Sequence, residues 1–214
     1  MPFTVAVAED HIAFRRELVV LLERDHNIEV VAEAADLARL APRMADRPTL
    51  VLADASAPGR DVARALTRFV TPAAPPVVVM LGPDDDAVRP LLAGACGLVT
   101  KSSLVRLGPD LLRRHAAGIP VLGAEGGRAL LRLAKQLGLP LTARQEDLLR
   151  QLAAGRDITE LSDWLGDGPG DTNEFIVSTI MEVRAAVRRD RRAVVGDDRA
   201  RQPSASAPVD LDPE

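Results

Sequence analysis

Aromatic residues are scarce in this sequence. It contains no tyrosine, one tryptophan and four phenylalanines, so aromatics make up 2% of its 214 residues. Since few rings are available, we predict that alanine, valine and leucine fill the core. Cysteine is scarcer still, and the only one, Cys96, excludes an intramolecular disulfide. We interpret it as a small buried thiol.

Long apolar runs and an excess of positive charge are also missing. The longest unbroken apolar runs, such as residues 18–22, are far shorter than the roughly 20 residues that span a bilayer. The N-terminus enters a strand-like run without the pattern of a cleavable signal peptide. With a net charge of −4, binding to nucleic acid or to an acidic membrane would need a local basic patch. We therefore expect a soluble cytoplasmic protein.

The first half of the chain alternates short apolar runs with segments of helical spacing. A length of 214 residues is enough for one large or two small domains. The apolar runs predict strands at residues 3–8, 28–32, 49–53, 77–81 and 97–100. The spacing between them predicts helices at residues 14–22, 37–44, 60–69, 84–92 and 104–115. This alternation predicts a flavodoxin-like, doubly wound, five-stranded parallel α/β sheet.

Charged residues follow three of these predicted strands. Glu9 and Asp10 end the first strand, Asp54 ends the third and Lys101 follows the fifth. If the first and third strands are neighbours, all four side chains meet at the switch-point crevice, where open α/β sheets bind ligands. Three carboxylates there need a cation, and Mg²⁺ with oxygen ligands suits such a site. Together with the lysine, the set suits phosphoryl transfer onto a carboxylate. Taken alone, Asp54 is better interpreted as an aspartate that ends its strand and caps the next helix.

Residues 1 to about 120 resemble a response-regulator receiver domain. The matching residues are Glu9-Asp10-His11, Asp54 with Pro58-Gly59 and Asp61, and the run Gly94-Ala95-Cys96-Gly97-Leu98-Val99-Thr100-Lys101. The resemblance implies that Asp54 accepts phosphate from a sensor histidine kinase, and that Lys101 contacts the phosphoryl group. It also implies that Glu9, Asp10 and Asp54 hold Mg²⁺. The alternative is an unrelated flavodoxin-like domain.

Two positions depart from the receiver pattern. Leu81 stands at the end of the fourth strand, where receivers carry a serine or threonine that bonds the phosphoryl group. Leu98 stands where the family has a switch tyrosine or phenylalanine. A hydrogen bond to a charged group, such as the missing hydroxyl would make, is worth roughly 1.5–3 kcal/mol. Moving a two-state conformational equilibrium from 1:99 to 99:1 takes about 5.5 kcal/mol, so loss of the hydroxyl removes a large share of the energy that switches the domain. Our hypothesis is that Asp54 can be modified but that phosphorylation switches the protein weakly.

The second half resembles the LuxR-like helix-turn-helix of NarL/FixJ-type response regulators. A predicted linker helix within residues 121–138 precedes Thr142, a predicted N-cap, and a helix whose buried stripe ends at Gly155. A second helix is predicted at residues 158–165, and we assign residues 139–192 to this small all-α domain. The resemblance implies a non-enzymatic transcription regulator that binds promoter DNA as a homodimer or heterodimer. We expect residues 193–214 to be a disordered tail.

The expected recognition helix matches its family less well. Ile176, Ile180, Val183 and Val187 keep the core spacing, but residues 175–179 lack the lysine and histidine of the usual Thr-Val-Lys-x-His. The turn at residues 166–171 is about four residues longer than usual. Residues 139–192 carry eight arginines and ten acidic residues, a net charge of −2. The predicted DNA contacts are therefore restricted to Thr179, Arg184 and Arg188, and the arginine cluster at 184–192 is either a phosphate clamp or a solvated helix end.

These departures leave a second hypothesis open. A regulator that no longer reads DNA would act through a protein partner, such as a DNA-competent paralogue with which it forms a heterodimer. A third hypothesis, a ligand-sensing receiver, fits the altered switch positions. We also interpret Trp164 as a core anchor of its helix, and Asp84-Asp85-Asp86 as a solvated helix start.

Overall fold

A five-stranded parallel sheet forms the first half of the protein. The computed structural model describes residues 3–44, 47–56, 61–71, 74–116, 122–156 and 158–189. The strands are β1 (Phe3–Ala8), β2 (Ile28–Ala34), β3 (Leu50–Asp54), β4 (Val77–Leu81) and β5 (Gly97–Thr100). Their order is β2-β1-β3-β4-β5, with every neighbouring pair parallel. The predicted fold class is confirmed, and β1 lies beside β3 as the site prediction requires.

Five helices cover the two faces of this sheet. They are α1 (Ile12–Glu23), α2 (Leu37–Leu40), α3 (Val62–Phe69), α4 (Val88–Ala93) and α5 (Lys101–Ala116). Leu18 and Leu104 pack α1 and α5 on one face, while Leu40, Leu66 and Leu91 pack α2, α3 and α4 on the other. All residues of β3 and β4 are buried, because central parallel strands are covered on both sides.

Several helix boundaries differ from the sequence prediction; α5, for example, begins at Lys101 and not at residue 104. The helix expected at residues 37–44 is α at Leu37–Leu40 and 3₁₀ at Ala41–Arg43, because Pro42 has no N–H to continue the α-helical ladder. The helix expected from residue 84 begins at Val88. Asp86 precedes it and accepts a hydrogen bond from the Val88 N–H at 2.8 Å.

Four helices form the second half, namely α6 (Gly123–Gln136), α7 (Ala143–Ala153), α8 (Ile158–Leu165) and α9 (Pro169–Arg189). Thr142 begins α7 with a capping box: its hydroxyl accepts from the Gln145 N–H at 3.2 Å, and Gln145 Oε1 accepts from the Thr142 N–H at 2.9 Å. No helix in the described ranges is long and apolar enough to cross a membrane.

The predicted linker helix is part of the core. Leu122, Leu130 and Leu133, in or next to α6, are buried in one apolar cluster with Leu91 and Leu98 of the sheet domain, and this cluster continues into α7. Residues 117–121, which contain the predicted domain boundary, and the predicted tail at residues 193–214 lie outside the described residues. The boundaries themselves therefore stay predictions.

Gly127 allows α6 and α7 to approach closely. A Cβ at this position would lie 2.5 Å from the backbone N of Ala153 and 2.8 Å from the carbonyl carbon of Leu152. We expect Gly127→Ala to lower the free energy of unfolding by about 2 kcal/mol, because overpacking outweighs the gain in helix propensity. Urea denaturation measures this difference.

The matched control is Gly170→Ala in α9, where a Cβ would meet no atom within 4 Å. This variant should be at least as stable as the wild type, since alanine favours the helix over glycine. Equal stabilities for the two variants would show that α6 and α7 do not pack as closely as described.

Candidate functional site

The four predicted pocket residues come together at the carboxyl edge of the sheet. Oxygen atoms of Glu9, Asp10 and Asp54 lie within 4.8 Å of one another. Lys101, the first residue of α5, places its Nζ 2.9 Å from Glu9 Oε2 and 2.8 Å from Asp54 Oδ1. The order of the strands produces this convergence, because β1 and β3 end side by side and β5 directs the lysine from across β4.

Because the pocket is largely buried, its charged side chains interact strongly with one another. The side chains of Glu9 and Asp54 are 0% and 2% exposed, and that of Lys101 is 26% exposed. Burial raises the pKa of Glu9, an effect that the hydrogen bond from Lys101 opposes and the charge of Asp54 reinforces. Burial alone would lower the pKa of Lys101, but its hydrogen bonds to Asp54 and Glu9 raise it above the ordinary value. The lysine is therefore held in its charged form.

One buried oxygen of the pocket has neither a hydrogen bond nor an ion pair in the described part of the chain. Asp54 Oδ2 is buried without a hydrogen bond, whereas Asp54 Oδ1 accepts from Lys101 and from the Ser56 N–H at 3.2 Å. A buried, unpaired carboxylate oxygen beside two further carboxylates fits a hard cation with oxygen ligands.

The ends of β4 and β5 lack the usual switch groups, as the sequence indicated. Leu81 and Leu98 are buried in the apolar cluster on the α2–α3–α4 face of the sheet. A hydroxyl group does approach Asp54, but from the loop after β3, where Ser56 Oγ lies 3.2 Å from Asp54 Oδ1. Sequence reasoning missed Ser56, although its place two residues after Asp54 was a usable signal.

The interpretation of the acidic run as a solvated helix start is wrong for Asp85. Its Oδ2 accepts hydrogen bonds from the Gly82 N–H at 2.6 Å and from Ser56 Oγ at 2.7 Å. The turn after β4 directs this side chain back towards the pocket, ahead of α4. Asp85 is therefore a fourth carboxylate beside Asp54, and no local sequence signal distinguished it from Asp84.

Helices α8 and α9 correct two predictions. Thr179 is fully buried and donates its hydroxyl to the Phe175 carbonyl at 2.8 Å, so it does not lie on a surface that DNA could reach. Trp164 is 41% exposed, because Leu161 and Leu165 fill the inner face of α8. The side chains of Arg184 and Arg188 lie outside the described residues, so their predicted role stays a prediction.

The extra residues before Ile176 lengthen the helix and not the turn. α9 begins at Pro169, so the turn itself is only residues 166–168, and Gly166 has the positive φ of 69° that reverses the chain. Ile176, Ile180 and Val183 are buried as predicted. The exposed side of α9 carries Val177 and Met181 with three acidic residues, Asp171, Glu174 and Glu182.

A doubly wound sheet with this acidic pocket, followed by a helical domain of this kind, defines a response regulator of the receiver and helix-turn-helix class. No protein-family model matches the sequence. The chain is 33% identical over 164 residues to the nitrate/nitrite response regulator protein NarP of Escherichia coli, which covers 72% of this chain and 76% of NarP. It is 27% identical over 182 residues to the "probable transcriptional regulatory protein NarL" of Mycobacterium tuberculosis, covering 80% of this chain and 83% of NarL.

A solved structure agrees on the fold. The RcsB response regulator of Salmonella typhimurium aligns with a TM-score of 0.52 and 19% identity, over 85% of this chain and 92% of that chain. The protein belongs to the family of NarP- and NarL-type response regulators.

Proposed function

We propose that this protein regulates transcription and that Asp54 is its phosphoacceptor. The observation that carries the proposal is the buried, unpaired Asp54 Oδ2, set among Glu9, Asp10 and the Lys101 ammonium. Family membership supports the role in transcription, since the relative from Mycobacterium tuberculosis is named a transcriptional regulatory protein. The sensor histidine kinase, as phosphodonor, is part of the same proposal.

The chemistry is a single displacement at phosphorus. An oxygen of Asp54 attacks the phosphorus of a kinase phosphohistidine, the P–N bond breaks, and the histidine takes a proton as it leaves. Lys101, between Asp54 and Glu9, pairs with a phosphoryl oxygen on the product acyl phosphate. Glu9, Asp10 and Asp54 supply oxygen ligands for Mg²⁺, which when bound offsets the charge between the carboxylates and the phosphoryl group.

Weak switching follows from Leu81 and Leu98. Without the β4 hydroxyl, phosphorylation loses an interaction worth roughly 1.5–3 kcal/mol, so we expect a shift in the dimer dissociation constant of no more than about tenfold. Sedimentation with and without phosphoramidate measures the shift. A large phosphate-dependent change in dimerisation would contradict this prediction.

DNA binding is tested by a gel shift of the full chain against its own promoter region at two salt concentrations. Specific retardation that weakens as salt rises is expected, because cation–phosphate contacts release counterions. Retardation no stronger than that of random DNA would contradict the DNA-binding part of the proposal.

The exposed face of α9 favours a second candidate function. Val177 and Met181 are 39% and 62% exposed, four residues apart, and the exposed acids around them would repel DNA phosphates. Such a face suits a protein partner, for example a DNA-competent paralogue in a heterodimer. In that case the gel shift stays negative for this chain alone, and Met181→Glu weakens co-sedimentation with the paralogue.

A further inference from the structure

Asp85 shares hydrogen-bond donors with the pocket of Asp54. One oxygen, Asp85 Oδ2, accepts both the Gly82 N–H at 2.6 Å and the Ser56 hydroxyl at 2.7 Å. The same hydroxyl oxygen lies 3.2 Å from Asp54 Oδ1. Because a hydroxyl has one proton, the shorter contact shows that Ser56 donates to Asp85. The two carboxylates are thus separated by a single hydroxyl group.

A phosphoryl group on Asp54 would disturb this arrangement. It replaces the single negative charge of the carboxylate by about 1.5–2 negative charges and brings several strong acceptor oxygens, next to Asp85, which already accepts from the Ser56 hydroxyl and the Gly82 N–H. The phosphoryl oxygens and Asp85 then compete for Ser56 and Gly82, and their like charges repel. The β4 end offers no hydroxyl to attract the phosphoryl group, since Leu81 is packed in the apolar cluster and Gly82, which faces Ser56 and Asp85, has no side chain.

A cleft of about 610 Å³ lies on the other side of Asp85. It is lined by Asp85 and Lys101 from the sheet domain and by Arg128 and Arg132 from α6. Arg128 is paired with Glu125 and donates to the Ala153 carbonyl at 2.9 Å. Arg132 is exposed and has no ion-pair partner among the residues that the structure describes. A displaced Asp85 would therefore enter a cleft that Arg132, on the first helix of the C-terminal half, also lines.

We propose that Asp85 is a positioning residue that reports the charge of Asp54 to α6. With Asp54 unmodified, Asp85 is held by Gly82 and Ser56; with Asp54 phosphorylated, it is repelled into the cleft and pairs with Arg132. This inference rests on the proposed phosphorylation of Asp54. In the usual receiver pattern, a hydroxyl at the end of β4 is attracted to the phosphoryl group. Here the phosphoryl group would repel the carboxylate of Asp85 instead.

Asp85→Asn tests the proposal, because asparagine keeps the size and an acceptor oxygen but removes the charge. At a fixed phosphoramidate concentration, the phosphorylated fraction of D85N should exceed that of the wild type by about threefold or more. The reason is that D85N lacks the negative charge that repels the phosphoryl group on Asp54. Hydrogen exchange of residues 82–88 should rise on phosphorylation in the wild type and change little in D85N. Asp84→Asn, which removes an exposed neighbouring acid, is the matched control and should behave as the wild type.

A second variant, Arg132→Gln, tests the other end of the proposed contact. Phosphorylation should still increase exchange at residues 82–88, while any protection that the wild type gains in α6 should be lost. If D85N and D84N reach the same phosphorylated fraction and show the same hydrogen exchange, the proposed role of Asp85 is overturned. The proposed phosphoacceptor is not affected by that result. Absence of phosphate on the wild type and on every variant would overturn the proposed phosphoacceptor, and this inference with it. Phosphate on D85N but not on the wild type would show that Asp85 blocks phosphorylation of Asp54, and would overturn its role as a reporter.

Discussion

Replacing Asp54 by asparagine abolishes the incorporation of acid-labile phosphate from phosphoramidate. The neutral amide oxygen is a poor nucleophile for phosphorus, and Glu9, the other fully buried carboxylate of the pocket, is paired with Lys101. Asp54 Oδ2 is buried and unpaired in the described part of the pocket, whereas Glu9 Oε2 lies 2.9 Å from the Lys101 ammonium. We therefore expect a reduction of at least about 100-fold in the rate of labelling, measured by intact-protein mass spectrometry.

Asp61→Asn is the matched control for this experiment. Asp61 begins α3, where its side chain accepts from the Ala63 and Arg64 N–H groups. Asparagine caps helices about as well as aspartate, so D61N should fold and be labelled as the wild type is. Undiminished labelling of D54N would place the phosphoacceptor elsewhere, and labelling lost equally in both variants would implicate the fold of this loop instead of a nucleophile.

The pocket could be predicted from the sequence because it depends on topology more than on packing. Short apolar runs fixed the strands, and strand order alone then brings Glu9, Asp54 and Lys101 to one edge. Asp85 could not be predicted in this way. Its direction is set by a turn after Gly82 and by a hydroxyl donor from another loop, and neither contact has a local pattern in the sequence.

In the second half of the chain, too, some features could be predicted from the sequence and others could not. The apolar spacing of Ile176, Ile180 and Val183 predicted the buried side of α9, because helical period decides which residues share a face. Thr179 was placed by alignment to a family motif, and the helical phase puts it on that buried side instead. The role of α6 was missed because its packing on β5, α4 and α7 is non-local, and Gly127 acquires its importance only through that contact.

Replacing Lys101 by methionine lowers the free energy of unfolding by about 3 kcal/mol in the absence of Mg²⁺. The substitution leaves Glu9 and Asp54, which are 0% and 2% exposed, without their shared cation. Removing one partner of a buried pair typically costs about 3–5 kcal/mol, and the lower value applies because Lys101 is partly exposed. The control is Lys135→Met in the last turn of α6, an exposed site where we expect a change within about 0.5 kcal/mol. Urea denaturation in the presence of a chelator measures both variants.

The pH dependence separates this electrostatic effect from a simple loss of packing. The pKa of Lys101 is raised by its hydrogen bonds to Asp54 and Glu9, so its pairing stabilises the folded protein fully below the unfolded pKa of about 10.4. That stabilisation is lost as the pH rises through the higher folded pKa, and the loss should be missing from K101M. Added Mg²⁺ should narrow the gap between K101M and the wild type, since a cation at the same carboxylates replaces the missing charge. A K101M protein as stable as K135M without Mg²⁺ would show that the buried carboxylates do not depend on this lysine.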